Sequence, residues 1–228
     1  MNESASASAA LLPWLPIILQ GFAFDVLISV LAMIIGTLAG LFLGLGQVSH
    51  RAAVRVVTRW DTQFFRNAPW LVILFFCIYL MPFEVRVLGT VIPFPAWIKG
   101  VVGLSLPVMG NVSEIVRGGV QSIPSGQWEA ASAMGLSRWQ TMRLCILPQA
   151  LRRMLAPWMN TYAVLMMSTP LVSIVGVDES LRVASSVLST LNNPALLMPV
   201  YGLVLVLFFV YCAPIAHWTR RLEARVGA

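Results

Sequence analysis

Long stretches without charged residues constrain this chain more than any other feature. Residues 26–50, 67–83 and 183–219 contain no Asp, Glu, Lys or Arg and are rich in Leu, Val, Ile and Phe. Apolar runs of about 18 residues or more are typical of helices that cross a lipid bilayer. With 58% hydrophobic and only 11% charged residues, the sequence does not suit a soluble globule.

The pattern predicts an all-α, polytopic membrane protein, a helical bundle of about five transmembrane helices. The apolar runs place the five spans at about 22–46, 67–83, 97–118, 154–172 and 195–218. Five spans put the two termini on opposite sides of the membrane, and the charges of the connecting segments indicate which terminus lies on which side.

Positive charge is concentrated in three segments. Residues 47–66 carry four Arg and one Asp, residues 117–153 five Arg and one Glu, and residues 219–228 three Arg and one Glu. The remaining connections carry a net charge of one unit at most. Because arginine-rich connections stay in the cytoplasm, the N-terminus is predicted to be outside and the C-terminus cytoplasmic. The net charge of +6 therefore indicates membrane orientation and not a nucleic-acid partner.

Small residues mark one face of the first span. Gly36, Gly40 and Gly44 recur every four residues. This spacing puts them on one side of a helix, where another helix can approach the backbone closely.

A polar segment between the third and fourth spans has local signals for two short helices. Ser125 follows a proline and is predicted to cap the first helix, which Gly135 is predicted to end. Ser137 and Gln140 have the spacing of a capping box that opens a second helix. Pro148 is predicted to end or kink that helix.

The same segment resembles the EAA loop of ATP-binding-cassette (ABC) importer permeases. That pattern is matched here by Glu129-Ala130-Ala131, Gly135 and Leu147-Pro148, with Cys145 where the family usually has Ile. The flanks at residues 114–119, 126–127 and 149–152 are similar to the branch that imports polar amino acids. Arg66-Asn67-Ala68-Pro69 is similar to the Arg-Gly-Thr-Pro motif of that branch.

The resemblance implies a division of labour along the chain. Residues 17–218 would form the permease domain, with a cytoplasmic coupling loop at 119–150, an external segment at 1–16 and a basic cytoplasmic tail at 219–228. The residues expected to contact an ATPase are Trp128, Glu129, Ala130, Ala131, Gly135, Leu147 and Pro148.

The expected partners follow from the same resemblance. They are two ABC ATPase subunits that hold ATP and Mg, a second permease copy or paralogue, an external (periplasmic) solute-binding protein, and the lipid of a bacterial inner membrane. Homodimer and heterodimer both remain open. No cofactor is expected in this chain, because it lacks a phosphate-binding loop: its only lysine, Lys99, lies in Ile-Lys-Gly.

Polar groups at membrane depth are candidates for the substrate path, since a zwitterion needs polar partners there. They are Asp25, Asn111, Ser113, Glu114, Ser168 and Thr169. Asp25 either faces the path or lies in the outer interface, and Glu114 with Arg117 is favoured as an ion pair. The chain departs from the branch at Asp25 (usually Thr), Asn111 (usually Tyr), Met167 (usually Lys) and Pro170 (usually Ser).

No catalytic or metal-binding pattern accompanies these residues. The three cysteines and two histidines lie far apart in the sequence. Two rival functions remain: a transporter driven by an ion gradient, which would need ionisable residues near the membrane midplane, and a non-transporting membrane scaffold. Copurification of an ATPase would separate both from an ABC permease.

Overall fold

The computed structural model describes residues 11–87 and 90–226. The predicted external segment 1–16 and the end of the predicted tail therefore lie partly outside the described residues. The helices are α1 (Leu15–Gln47), α2 (Ala52–Asn67), α3 (Trp70–Leu80), α4 (Ala96–Gln121), α5 (Ser125–Ala133), α6 (Arg138–Gln140), α7 (Leu147–Ser168), α8 (Ser180–Leu191) and α9 (Leu197–Val226). A π-helical segment, Thr141–Ile146, joins α6 to α7, and short 3-10 helices occupy Leu12–Trp14, Thr169–Ser173 and Pro194–Leu196.

Two strands depart from the all-α prediction. β1 (Glu84–Val87) pairs antiparallel with β2 (Thr90–Pro93), in a register that sets Glu84 opposite Pro93 and Val87 opposite Thr90. The sequence analysis treats residues 84–99 only as a connection. The strands are rich in β-branched residues, which favour strands, but each is only four residues long and carries no strong turn signal.

Length and composition identify fewer spanning helices than the sequence analysis predicts. Among the described residues, Leu12–Gln47 and Pro194–Ala224 are long and apolar enough to cross a membrane. α2 and α3 together would make a third span, but they meet at an angle of 102°. The polar residues of α4 and α7, such as Glu114, Arg117 and Arg153, lower the hydropathy of those two helices.

The bend between α2 and α3 has a local cause. Ala68 and Pro69 both adopt extended backbone conformations. Proline lacks a backbone N–H and disfavours a helical conformation at the residue before it, so the helix cannot continue through this pair.

The chain divides into two compact units. Unit 1 comprises Met1–Ala32, Pro69–Leu104 and Val164–Pro214, and unit 2 comprises Met33–Ala68, Ser105–Ala163 and Ile215–Ala228. The core of unit 1 brings Ile18 of α1 together with Ala184 of α8 and Val200 of α9. The ring of Phe22 meets that of Phe208 edge to face, with 5.2 Å between the centroids.

Unit 2 is organised around the glycines of α1. A Cβ atom added at Gly36 would lie 2.5 Å from Val108, and one at Gly40 would lie 2.7 Å from Val112. Gly44 has the same relation to Val116, again at 2.5 Å. Since the valines recur every four residues on α4, the two helices approach each other along one continuous line.

Candidate functional site

The predicted coupling segment forms two short helices joined by a tight corner. α5 begins at Ser125, with Pro124 in the capping position and no side-chain cap, so the prediction that Ser125 is the N-cap is wrong. Gly135 ends the segment with a φ of +73°. The N–H of Leu136 donates to the carbonyl of Ala131 at 3.2 Å, which closes the corner. Glycine is favoured here because this left-handed conformation strains other residues.

The second helix opens as the sequence analysis predicts. The N–H of Ser137 donates to Gln140 Oε1 at 2.8 Å, and the N–H of Gln140 donates to Ser137 Oγ at 3.4 Å. This capping box fixes where α6 begins. Pro148 does not end the helical segment: π-helical Thr141–Ile146 lies just before it, and α7 continues from Leu147 to Ser168.

The corner presents an open cleft of about 460 Å³ in unit 2, lined by Trp128, Glu129, Ser132, Leu136, Arg138 and Thr141. Nothing lies within 4 Å of a Cβ built at Gly135, and the Trp139 side chain is 70% exposed. Ala131, at 1% exposure, is buried beneath this surface. The arrangement is a rigid, exposed corner with small residues at its centre, which suits docking against another protein.

Two contacts attach this corner to the rest of unit 2. Arg153 donates to the carbonyl of Ser122 at 2.7 Å, which joins the start of α7 to the segment before α5. Gln149 donates to the carbonyl of Cys145 at 2.8 Å and lies 3.4 Å from Gln127 Oε1. A displacement of the corner would therefore be passed to α7.

Three of the predicted substrate-path residues follow one another on α4, in unit 2. Asn111 donates to the carbonyl of Pro107 at 2.9 Å. Ser113 is fully buried and bonds to Gln47 at 2.8 Å and to Thr62 at 2.9 Å, in a network of uncharged side chains. Gln47 also donates to Thr62 at 3.1 Å.

Glu114 forms the ion pair favoured by the sequence analysis. Arg117 contacts both of its carboxylate oxygens, with Nε 3.0 Å from Oε2, and Arg66 Nη1 lies 3.7 Å from Oε1. The Glu114 side chain is 22% exposed. Its carboxylate is thus neutralised by two arginines from α2 and α4.

The other three predicted path residues lie in unit 1. Ser168 donates to the carbonyl of Val164 at 2.8 Å, and the buried Thr169 donates to the carbonyl of Met166 at 2.9 Å. Asp25 is fully buried and accepts hydrogen bonds from the backbone and hydroxyl of Ser180. Five well-formed clefts among the described residues are not lined by any predicted path residue.

Comparison with known proteins identifies the family. The family described as the inner membrane component of binding-protein-dependent transport systems matches residues 36–226.

The chain belongs to this family.

Curated relatives and a solved structure agree with that assignment. This permease is 34% identical over 210 residues to the probable amino-acid ABC transporter permease protein YckA of Bacillus subtilis, across 92% of this chain and 89% of that one. It is 32% identical over 218 residues to the glutamine transport system permease protein GlnP of Escherichia coli, across 96% of both. The crystal structure of an amino acid ABC transporter with histidines matches with a TM-score of 0.82 at 25% identity, covering 95% of this chain and 97% of that chain.

The permease contains a buried carboxyl pair that the sequence analysis missed. Glu179 is fully buried and caps α8, accepting hydrogen bonds from the N–H groups of Leu181 and Arg182 at 2.8 Å each. The hydroxyl of Ser180 lies 3.2 Å from Glu179 Oε2 and also contacts Asp25. No local sequence signal marks this pair, because Asp25 and Ser180 are 155 positions apart.

This carboxyl pair has no cation beside it. Within the described residues, no Arg or Lys lies within 4 Å of either carboxylate, and Arg182 pairs instead with Asp178 at 2.7 Å. Burial, and then the neighbouring Asp25 carboxyl, raise the pKa of Glu179 to about 7. Two adjacent buried carboxylates repel each other, so Glu179 changes its protonation state close to neutral pH.

Lys99 is a second buried charged group. It lies in the first turn of α4, at the start of the predicted third span, and is fully buried. Its Nζ donates to the carbonyls of Ile78 and Met81 at 3.2 and 3.1 Å and lies 3.5 Å from the ring centroid of Phe83. The ammonium therefore neutralises the carbonyl end of α3. The sequence signal for this buried position was that the only lysine of the chain lies at the edge of an apolar run.

Proposed function

We propose that this chain is the transmembrane permease subunit of an ATP-driven importer of polar amino acids or of derivatives such as opines. The exposed corner between α5 and α6 carries the proposal, because no other part of the described chain covers the cleft at its centre. The named relatives, which are amino-acid permeases, support the substrate class.

The corner would act as a lever. ATP hydrolysis takes place on two separate ATPase subunits, which bind ATP and Mg and grip the corner at Glu129 of α5 and at Gly135. Closure of the ATPase pair moves the corner as a rigid body, and the contacts of Arg153 with Ser122 and of Gln149 with Gln127 pass that motion to α7. The permease then changes between outward-open and inward-open states.

The transport path requires a second permease, either a copy of this chain or a paralogue, because five helices do not easily enclose a pore. The proposed spans are α1, α3, α4, α7 and α9. The arginine-rich segments place the α5–α6 corner in the cytoplasm, and a solute-binding protein delivers substrate from outside.

Cysteine labelling tests the orientation. A cysteine replacing Asn193, which precedes α9, should react with a membrane-impermeant reagent in intact cells. A cysteine replacing Ser137 should react only after the membrane is opened. Labelling of the Ser137 cysteine in intact cells would reverse the proposed topology.

The substrate path is proposed to include Asp25, Asn111, Ser113, Glu114, Ser168 and Thr169. Asp25 and Thr169 are buried in unit 1, while Ser113 and Glu114 are held by neighbours in unit 2. If Asp25 contributes a negative charge, an arginine-like substrate is favoured. Asp25→Asn should then reduce arginine uptake without affecting glutamine uptake.

Uptake into vesicles containing the full complex tests the function. Labelled arginine, histidine, glutamine, glutamate and an opine are supplied with the binding protein, with ATP inside the vesicles. We expect ATP-dependent uptake of at least one of them, and copurification of an ATPase. Uptake that follows an ion gradient without ATP would favour an ion-driven transporter, and a purified complex without an ATPase would favour a scaffold.

A further inference from the structure

A basic cleft lies in unit 2 beside the start of α2. It has a volume of about 810 Å³ and is lined by Arg51, Arg55 and Arg59, and by Arg138 of α6. Trp128 and Trp139 form part of its wall. The cleft therefore combines guanidinium groups with aromatic surface.

The arginines of this basic cleft have little internal compensation. No Asp or Glu lines the cleft among the described residues. Arg55 donates to the carbonyl of Ser49 at 3.2 Å, and no ion pair in the described part of the chain includes Arg51, Arg59 or Arg138. The nearby carboxylate of Glu114 is already paired with Arg117 and Arg66. Arg138 also borders the cleft that Glu129 lines, but no carboxylate shares the basic cleft with Arg51, Arg55 and Arg59 among the described residues, and this concentration of positive charge predicts an anionic ligand.

The same helix has a separate exposed apolar face. Val56, Val57, Trp60 and Phe64 are between 52% and 75% exposed, and their positions recur at helical spacing. A helix with arginines on one side and large apolar groups on another is suited to the plane of the membrane interface. The basic cleft would then lie at the depth of lipid phosphates.

We propose that the basic cleft binds the phosphate headgroup of an anionic phospholipid. The guanidinium groups match phosphate oxygens, and the adjacent apolar face of α2 accommodates the acyl chains. A free phosphate would use the arginines but not this apolar face. The ligand accordingly belongs to the membrane, and binding fixes α2 beside the α5–α6 corner without contributing to substrate recognition.

Native mass spectrometry of the full chain in a neutral detergent tests the site. The chain is titrated with phosphatidylglycerol or phosphatidylcholine, and bound lipids are counted. We expect Arg51→Gln with Arg59→Gln to weaken phosphatidylglycerol binding roughly tenfold or more, because each arginine near anionic lipid contributes a few-fold or more. Arg220→Gln with Arg221→Gln removes the same charge from α9 and should change the affinity less than about twofold.

Other outcomes would overturn the proposal. Equal weakening by both double variants would mean that lipid binds through general charge. Equal binding of phosphatidylcholine, or full displacement of the lipid by inorganic phosphate or glycerol phosphate, would exclude an anionic-lipid site. If the Arg51/Arg59 variant binds lipid normally but no longer copurifies with the ATPase, the cleft belongs to the protein interface. An unchanged melting temperature verifies that each variant is folded.

Discussion

Unit 2 uses small residues in two opposite ways. On α1, Gly36, Gly40 and Gly44 are covered by valines of α4, so that an added Cβ would meet atoms at 2.5–2.7 Å. At the α5–α6 corner, a Cβ added at Gly135 or Gly126 would have no described atom within 4 Å beyond its chain neighbours. The first group completes its packing inside the chain, while the second is left open. A small residue that the backbone conformation requires but that no neighbour covers, such as Gly135, indicates a docking surface. A small residue covered by another helix indicates internal packing.

Gly40→Leu should produce the largest loss of stability, since it disrupts the packing of α1 against α4. The Cβ would lie 2.8 Å from the carbonyl oxygen of Met109, and this backbone atom cannot rotate away as a side chain could. Overpacking costs about 1–3 kcal/mol, so the melting temperature in detergent should fall by roughly 5 °C or more. Gly202→Leu on α9 is the matched control, because nothing lies within 4 Å of its Cβ position. Equal stability of the two variants would contradict internal packing at Gly40.

Gly135→Arg should obstruct the open α5–α6 corner without unfolding the chain. The new side chain extends from the corner and blocks close approach, so ATP-driven uptake should fall to about a tenth or less while the chain still reaches the membrane. A non-glycine residue with positive φ costs roughly 1–2 kcal/mol, and asparagine tolerates that conformation best. Gly135→Asn therefore separates bulk from strain and should retain most uptake. Normal uptake by Gly135→Arg would refute the coupling role.

The buried pair Asp25 and Glu179 extends the comparison to charged groups. It should give the smallest change in melting temperature. The pKa of Glu179 is raised from 4.5 to about 7 in the folded chain, so the folded state binds more protons than the unfolded state. The associated stability is complete below about pH 4.5 and is lost as the pH rises through 7. The melting temperature of the isolated chain should fall by about 3 °C or more between pH 5.5 and 8.5.

Two variants define this pH dependence. Glu179→Gln keeps an oxygen that can cap α8 and should remove most of the pH dependence. Thr62→Val disrupts the neutral Gln47–Thr62–Ser113 network and should lower the melting temperature by about 2–4 °C, equally at both pH values. A pH dependence that is unchanged in Glu179→Gln would assign it to another group.

Local structure was predicted from the sequence more accurately than contacts between distant segments. The capping box at Ser137 and Gln140 and the turn at Gly135 depend on a few adjacent residues, and both are present in the structure. The contact between Asp25 and Ser180 and the burial of Glu179 depend on how distant segments meet, which hydropathy does not encode. Pro148 does not end its helix as predicted, and the π-helical segment that precedes it has no sequence signal of its own.

Composition also predicted the membrane class better than the helix count. α1 and α9 are long and apolar, but α4 and α7 contain polar and charged residues, so their hydropathy is lower. The proposed coupling surface was predicted from spaced residues, most of which are exposed, while Ala131 is buried beneath them. The predicted substrate path was less accessible to such reasoning, since Asp25 and Ser113 are bonded to residues that lie far away in the sequence.

Protection of the α5–α6 corner by the ATPase tests the central claim most directly. Cys77, Cys145 and Cys212 are first replaced by Ala. A single cysteine then replaces either Ser132 in the cleft of the corner or Ser189 on α8, and both positions are exposed. In the isolated chain both should react readily with a maleimide. Addition of the copurifying ATPase should slow labelling of the Ser132 cysteine roughly tenfold and leave the Ser189 cysteine unchanged, because a docked surface excludes the reagent. Unchanged labelling at Ser132, or equal slowing at both positions, would contradict the account.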